Sequence, residues 1–348
     1  MRLRSSMAPG RRKVTVRIGG AVVAWIVFCV VGHAETPPEL KPTAVHRTDG
    51  GFSQVVASGS EKVIVTHDGI SLQTFASADL KPLKSIMAGG EKTQLFAADS
   101  RVCVLSPNPK GGHDVEVISV KGLKRERQFQ LNVEGPVTNL GWDEELAVVF
   151  VSEFKDGKEK GTFDLSVKGF RIVDGKPEEI YRDIGSHAVA IDRSRQFALI
   201  GDIAGTLEVF DYSKRKSVSK TSFDLVINEL VVIGPSRAVI SMDKNQYYLC
   251  EYSNQPTARA IEGLRPEKLE KTMLLRSGLL LAQYKLGEDA GYEFQLARIE
   301  EQPTLAFRPI GRFGHKHACV NAVESGSPDG FVVHCGVELR LFGSAAKK

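Results

Sequence analysis

From residue 43 onward, apolar positions fall in short runs rich in Val, Ile, Leu and Phe, alternating with polar ones. Gly, Asp, Asn or Ser separates each run from the next. A period of two puts one side of a segment inward, so the pattern predicts many short antiparallel strands. Helical spacing is nearly absent. RPEKLEKTMLL (265–275) comes nearest to it, and Pro266 could open a single helical turn there.

The runs themselves repeat. IGDIAGTLEVFDYSKRK (200–216) reads as strand, turn, strand, turn, strand, and VTHDGISLQTFASADLKP (65–82) and HCGVELRLFG (334–343) share the layout. Looser copies begin at Cys103, Val149, Ile240 and Leu280. Anchored on the third strand of each copy (Phe75, Ser119, Phe170, Phe210, Glu251, Ala297, Leu341), the spacings are 44, 51, 40, 41, 46 and 44 residues. Seven copies at this spacing predict an all-β chain, a seven-bladed β-propeller of four-stranded antiparallel blades. Eight blades, or two smaller domains, are the alternatives. The seventh copy lacks its outer strand, while PTAVHRT (42–48) is a strand without a copy. Joining the two would close the ring and hide a sheet edge.

Some copies also resemble WD40 repeats, whose pattern runs Gly-His, strand, Ser-Pro-Asp-Gly, strand, and a third strand ending in Trp-Asp. Gly314-His315 and Ser327-Pro328-Asp329-Gly330 match it, and Leu341-Phe342-Gly343 stands where Trp-Asp would be. Residues 187–211 fit as well, ending Val209-Phe210-Asp211. The resemblance spans 43–343 and extends to secreted bacterial propellers with degenerate repeats. It departs from the family in its single Trp outside the leader, Trp142. It implies a rigid ring with a wide, loop-built face suited to binding proteins or glycans.

Composition places the chain in a compartment. With 42% hydrophobic and 25% charged residues it is an ordinary globular chain. The formal +4 comes from the start: residues 1–34 hold Arg2, Arg4, Arg11, Arg12, Lys13 and Arg17 and no acidic residue. Without them, 40 basic face 42 acidic side chains. A nucleic-acid binder keeps its basic patch in the folded part, so nucleic acid is not an expected partner. The basic start, the apolar run IGGAVVAWIVFCVVG (18–32) and the small residues Gly32 and Ala34 read as a signal peptide cleaved after Ala34. An uncleaved anchor is the alternative, and Phe28 before Cys29 speaks against a lipoprotein box. The division expected is signal peptide 1–34, Pro-rich lead-in 35–42, propeller 43–343 and tail 344–348. The mature chain is then secreted or periplasmic, with no membrane span after the leader.

Candidate chemistry is sparse. His315, His317 and Cys319 alternate, and a symmetric SGSPDG hairpin would set Cys319 opposite Cys335 and Val323 opposite Phe331. His317, Cys319 and Cys335 are weak metal candidates, one ligand short of a closed site. Cys319 and Cys335 could instead form a disulfide or remain two small buried thiols, the plainer reading. His315 is read as the residue before the last copy's first strand, outside the ladder. No cofactor motif or nucleophile elbow appears. Long polar stretches between second and third strands mark a binding rim: Lys110 and His113 in copy two, Lys155, Asp156, Lys158 and Glu159 in copy three, Glu288 and Asp289 in copy six. KGLKRERQF (121–129) reads as a solvated edge strand. The expectation is a non-catalytic binding scaffold with a protein or glycan partner. The alternative is a lactonase-like hydrolase with a channel metal, for which the inner strands offer only Asn139, Asn228, Glu229 and Asn321, scattered singly.

Overall fold

The computed structural model describes residues 36–47, 54–58, 61–90, 92–98, 100–145, 147–156, 163–252, 256–264, 268–287, 290–326 and 330–343. The leader with its cleavage site, the tail, and the rim residues Lys158, Glu159, Glu288 and Asp289 lie outside the described residues.

Seven four-stranded antiparallel sheets form the blades of a β-propeller. Each of the seven anchor residues lies on the third strand of its blade. The inner strands are Gln54–Ser58, Gln94–Ala98, Val137–Asp143, Ser186–Asp192, Ile227–Gly234, Leu269–Leu274 and Cys319–Glu324. Ala44–Arg47 supplies the outer strand of blade 7, pairing Ala44 with Leu341 and Arg47 with Glu338, so the two ends of the ring close on each other. The lead-in does more than connect: Leu40 N donates to Arg312 O at 2.7 Å and Arg312 N to Pro38 O at 2.9 Å, laying it along the outer strand of blade 6.

The core is divided into seven apolar clusters, one in each gap between adjacent blades. Phe129, Trp142 and Phe170 fill the gap between blades 2 and 3, for example, and Phe313, Phe331 and Phe342 that between blades 6 and 7. A second strand therefore faces apolar neighbours on both sides. Val63–His67 and Phe331–Cys335 are buried at every position, which explains why three apolar residues follow one another at the start of each without alternation. Outer strands cover one side only. Lys124–Leu131 has a single exposed-to-buried alternation at its end and is otherwise solvated, as KGLKRERQF predicted.

Two expectations change. The segment with the most helical spacing is a strand: Leu269–Leu274 is the inner strand of blade 6, pairing with the strand Leu279–Gly287. A ring position that needs a strand overrides a weak local preference. His315 lies inside a ladder, ending the outer strand of blade 6 opposite Tyr292.

Inner strands of blades 3 to 7 also share a bulge near their start, at Thr138, His187, Asn228, Glu270 and Val320. Cys319 faces Cys335 as the symmetric hairpin predicts, but beyond the bulge Val323 faces Val332 rather than Phe331.

Candidate interaction face

Hairpins between second and third strands emerge at one end of the ring, together with the links between blades. This end is called the upper face. In blade 2 the turn Asn108–Gly112 leaves Lys110 exposed, while Asn108 Nδ2 holds both Asp114 carboxylate oxygens at 2.9 Å. Gly112 has φ +77°, and a Cβ there would meet Leu131 O at 2.5 Å, so the turn requires glycine. His113 departs from the predicted rim. It is 6% exposed, its Nδ1 lies 3.3 Å from Val133 O, and burial pushes its pKa down.

The blade 3 hairpin is the longest, built from Val148–Asp156 and Phe163–Val173. Lys155 is half-buried and pairs with Glu134 at 3.3 Å. Asp156 ends the second strand. Phe154 and Phe163 stack with ring centroids 4.7 Å apart. The same two strands carry a buried ion pair, Lys168 Nζ to Glu153 Oε1 at 2.7 Å, with Ser166 donating to the same oxygen at 2.6 Å and Glu134 N to the other at 3.1 Å. Burial opposes the charge on Glu153, but Lys168 and Ser166 outweigh it and hold its pKa below the usual carboxylate range.

In blade 7, Cys319 and Cys335 are joined in a disulfide with Cα atoms 4.0 Å apart. Their sulfurs are bonded to each other, so neither is a thiolate ligand for a metal. His317 is exposed. His315 Nδ1 lies 2.9 Å from His317 O and 3.1 Å from His317 N, and its Nε2 lies 3.4 Å from Glu338 Oε2. No group of three or more metal-ligating residues is found among the described residues. Cys103 and Cys250 are free and buried, and burial pushes the Cys250 thiol up to about 11.

The channel-side polar residues stitch blades together. Asn321 Nδ2 donates to Val55 O at 2.7 Å, Gln94 Nε2 to Val137 O at 2.6 Å and Lys271 Nζ to Val320 O at 2.5 Å. Gln54 Oε1 accepts from Leu95 N. Each bond satisfies a backbone group on the open edge of a neighbouring inner strand. Asn228 instead bonds Asp243 at 3.0 Å. Glu229 is half-buried, and burial raises its pKa against the pull of Lys271. Asn139, Asn228, Glu229 and Asn321 thus sit on three different blades. Two cavities of about 460 and 390 Å³ occupy the channel and share Ala97, Leu140, Leu274 and Arg276.

The sequence reading missed the apolar content of the upper face. Among the described residues, eight of the twelve exposed large apolar side chains lie there. Phe163, Ile184 and Ile203 cluster in blades 3 and 4, at 56%, 80% and 52% exposure, while Ile70, Leu286 and Val337 sit on other hairpins. The available signal was an isoleucine in an otherwise turn-like segment, as in RDIGS and GDIAG.

No protein-family model matches the sequence, and no curated protein does. Solved structures do. The crystal structure of the Myceliophteria thermophila Cps50 (Swd1) β-propeller domain gives a TM-score of 0.63 at 11% identity, covering 85% of this chain and 98% of that one. A chain in the crystal structure of a mitotic checkpoint complex gives 0.62 at 9% identity, covering 95% and 98%. The fold is a WD40-like β-propeller. In this WD40-like propeller two of the blade gaps carry tyrosine–aspartate bonds. Tyr212 after the third strand of blade 4 reaches Asp143 of blade 3, and Tyr252 of blade 5 reaches Asp192 of blade 4. Asp192 also accepts from Ser194 Oγ at 2.6 Å and Ser236 N at 3.0 Å. No helix among the described residues is long and apolar enough to cross a membrane.

Proposed function

We propose that this chain is an exported, non-catalytic propeller that binds a protein or glycan through its upper face. The observation that carries this reading is the concentration of exposed apolar side chains on that face. Soluble surfaces scatter such side chains singly, and gathering them at one end favours association. Export is supported by the basic, then apolar, then small-residue leader ending at Ala34, and a disulfide suits an oxidising compartment. Fold alone does not assign a function. Against catalysis, the channel amides of Gln54, Gln94 and Asn321 are occupied in bonds between adjacent inner strands.

The test is site-specific photo-crosslinking in the native host, with benzoylphenylalanine at Ile203 or Leu286 on the upper face and at Val173 on the opposite one. Adducts with one exported partner, from upper-face positions alone, are expected. Glycan-array binding lost on upper-face substitution would support the glycan branch. N-terminal sequencing of the mature protein should start at Glu35, and a purely cytoplasmic chain with an intact leader would sink export. Stoichiometric divalent metal in the purified protein, lost in Glu229→Gln and Asn321→Ala, would replace the scaffold reading with a metal-dependent hydrolase.

A further inference from the structure

We infer that blades 3 to 5 carry a docking ledge for a basic, apolar segment of a partner protein; the inference rests on the scaffold reading and specifies its site and chemistry. Backbone hydrogen bonds make the ledge continuous. Gly185 N donates to Leu165 O at 2.8 Å, and Ile203 N to Gly185 O at 3.2 Å, joining the blade 3 sheet to the blade 4 hairpin. Phe223 N donates to Gly205 O at 2.8 Å and Asp243 N to Val226 O at 3.2 Å, carrying the connection into blade 5. Segments distant in sequence are thereby laid edge to edge.

Out of this ledge stand Phe163, Ile184 and Ile203, and Ile184 is the most exposed large apolar side chain among the described residues. The charge around them is predominantly acidic, although Lys155 lies opposite Asp164 on the paired strand and Lys220 is within electrostatic reach of Asp183 and Asp202. Segments 163–166, 183–187, 202–206, 222–228 and 241–246 contain Asp164, Asp183, Asp202, Asp224 and Asp243 against one lysine, Lys244. Two of the carboxylates are fixed in place: Asp202 Oδ1 accepts from Thr206 N at 2.6 Å, and Asp183 accepts from the Ser186 hydroxyl. Asp224 and Asp243 are exposed. Beside Asp224, the rings of Phe223 and Tyr248 lie 5.8 Å apart in the wall of a concavity of about 450 Å³.

These features select the occupant. An acidic segment or a nucleic acid would be repelled by the aspartates. A wholly apolar segment would desolvate the carboxylates without replacing their water. A segment mixing Lys or Arg with Leu, Ile or Phe satisfies both, with its cations on the carboxylates and the aromatic wall and its apolar side chains over Ile184 and Ile203.

The test uses the full exported chain and a short fluorescent peptide of Lys, Arg, Leu and Phe, followed by anisotropy at physiological salt. Two control peptides replace either the basic residues by Glu or the apolar ones by Ser. Binding of the first peptide alone is expected, weakened about tenfold or more by Ile184→Ser with Ile203→Ser, and likewise by Asp224→Lys with Asp243→Lys. All four residues are on the surface, so unchanged unfolding midpoints should accompany the loss. Equal binding of the Glu peptide, or undiminished binding by both double variants, overturns the ledge. So does self-association abolished by Ile184→Ser, which would assign the patch to a second copy. Binding or crosslinking that depends on Leu286 instead would reject the ledge and leave the scaffold reading intact. Absence of any adduct from Ile203 and Leu286 would reject both.

Discussion

Tyr212 in blade 4 donates its phenolic hydrogen to Asp143 in blade 3 at 2.5 Å, and both residues are nearly free of solvent. One blade further on, Tyr252 bonds Asp192 at 3.0 Å from the matching position. Burial, then the carboxylate, pushes both phenols up, so they remain protonated donors. The clusters filling the blade gaps are apolar, and these bonds add a buried directional contact to two of the gaps.

Removing either hydroxyl leaves a buried carboxylate short of a donor. Tyr212→Phe and Tyr252→Phe are each expected to lower the unfolding free energy by about 1.5–3 kcal/mol. Urea unfolding monitored by Trp142 fluorescence reads this directly. A loss below about 0.5 kcal/mol, the size of an ordinary surface change, would show that the clasp contributes nothing.

The Glu153–Lys168 pair makes stability depend on acid. Glu153 has a folded pKa below its unfolded value, so its contribution is present above the unfolded value, near 4.3, and is lost as pH falls through the folded one. Glu153→Gln should flatten the acid limb of a stability–pH profile while leaving Lys168 buried and unpaired. Lys168→Met should cost about 3–5 kcal/mol near neutral pH. An unchanged acid limb in Glu153→Gln would remove the pair from the account.

With its leader removed, the denatured, unreduced protein should titrate two thiols, Cys103 and Cys250. Four would show that Cys319 and Cys335 are not bonded. The bond closes a sequence separation of 16 residues, so reduction should lower stability by about 3 kcal/mol. Denaturant midpoints measured with and without reductant test that value.

Deleting residues 36–47 removes the strand that pairs with Glu338–Phe342 and leaves two open edges. The expected result is a lower unfolding midpoint, earlier proteolysis within blade 7, and concentration-dependent aggregation. A truncated chain as stable and monomeric as the original would show that ring closure lies elsewhere.

Much of this architecture is legible in the amino-acid pattern. Alternation and turn residues repeat near 44 positions because each blade is a local meander, made of neighbours in sequence. The missing strand of the last copy and the spare PTAVHRT strand foretell the closure by count alone. The helix-like 265–275 segment misleads because one weak stretch carries little information against a ring that needs an inner strand there. Lys110 and Lys155 are placed on the upper face by their loops, but His113, one residue into its strand, turns inward.

The sequence by itself determined the blades, since strand period and turn chemistry act within a few residues. Tertiary structure decided what adjacent blades do to one another. Asn321 bonds Val55 across 266 positions, and Ile184 and Ile203 become neighbours through a bond from Ile203 to Gly185. Bulges in five inner strands shift the register by one residue. These contacts depend on packing angles and edge pairing between separate sheets, and no local pattern of polar and apolar residues encodes them.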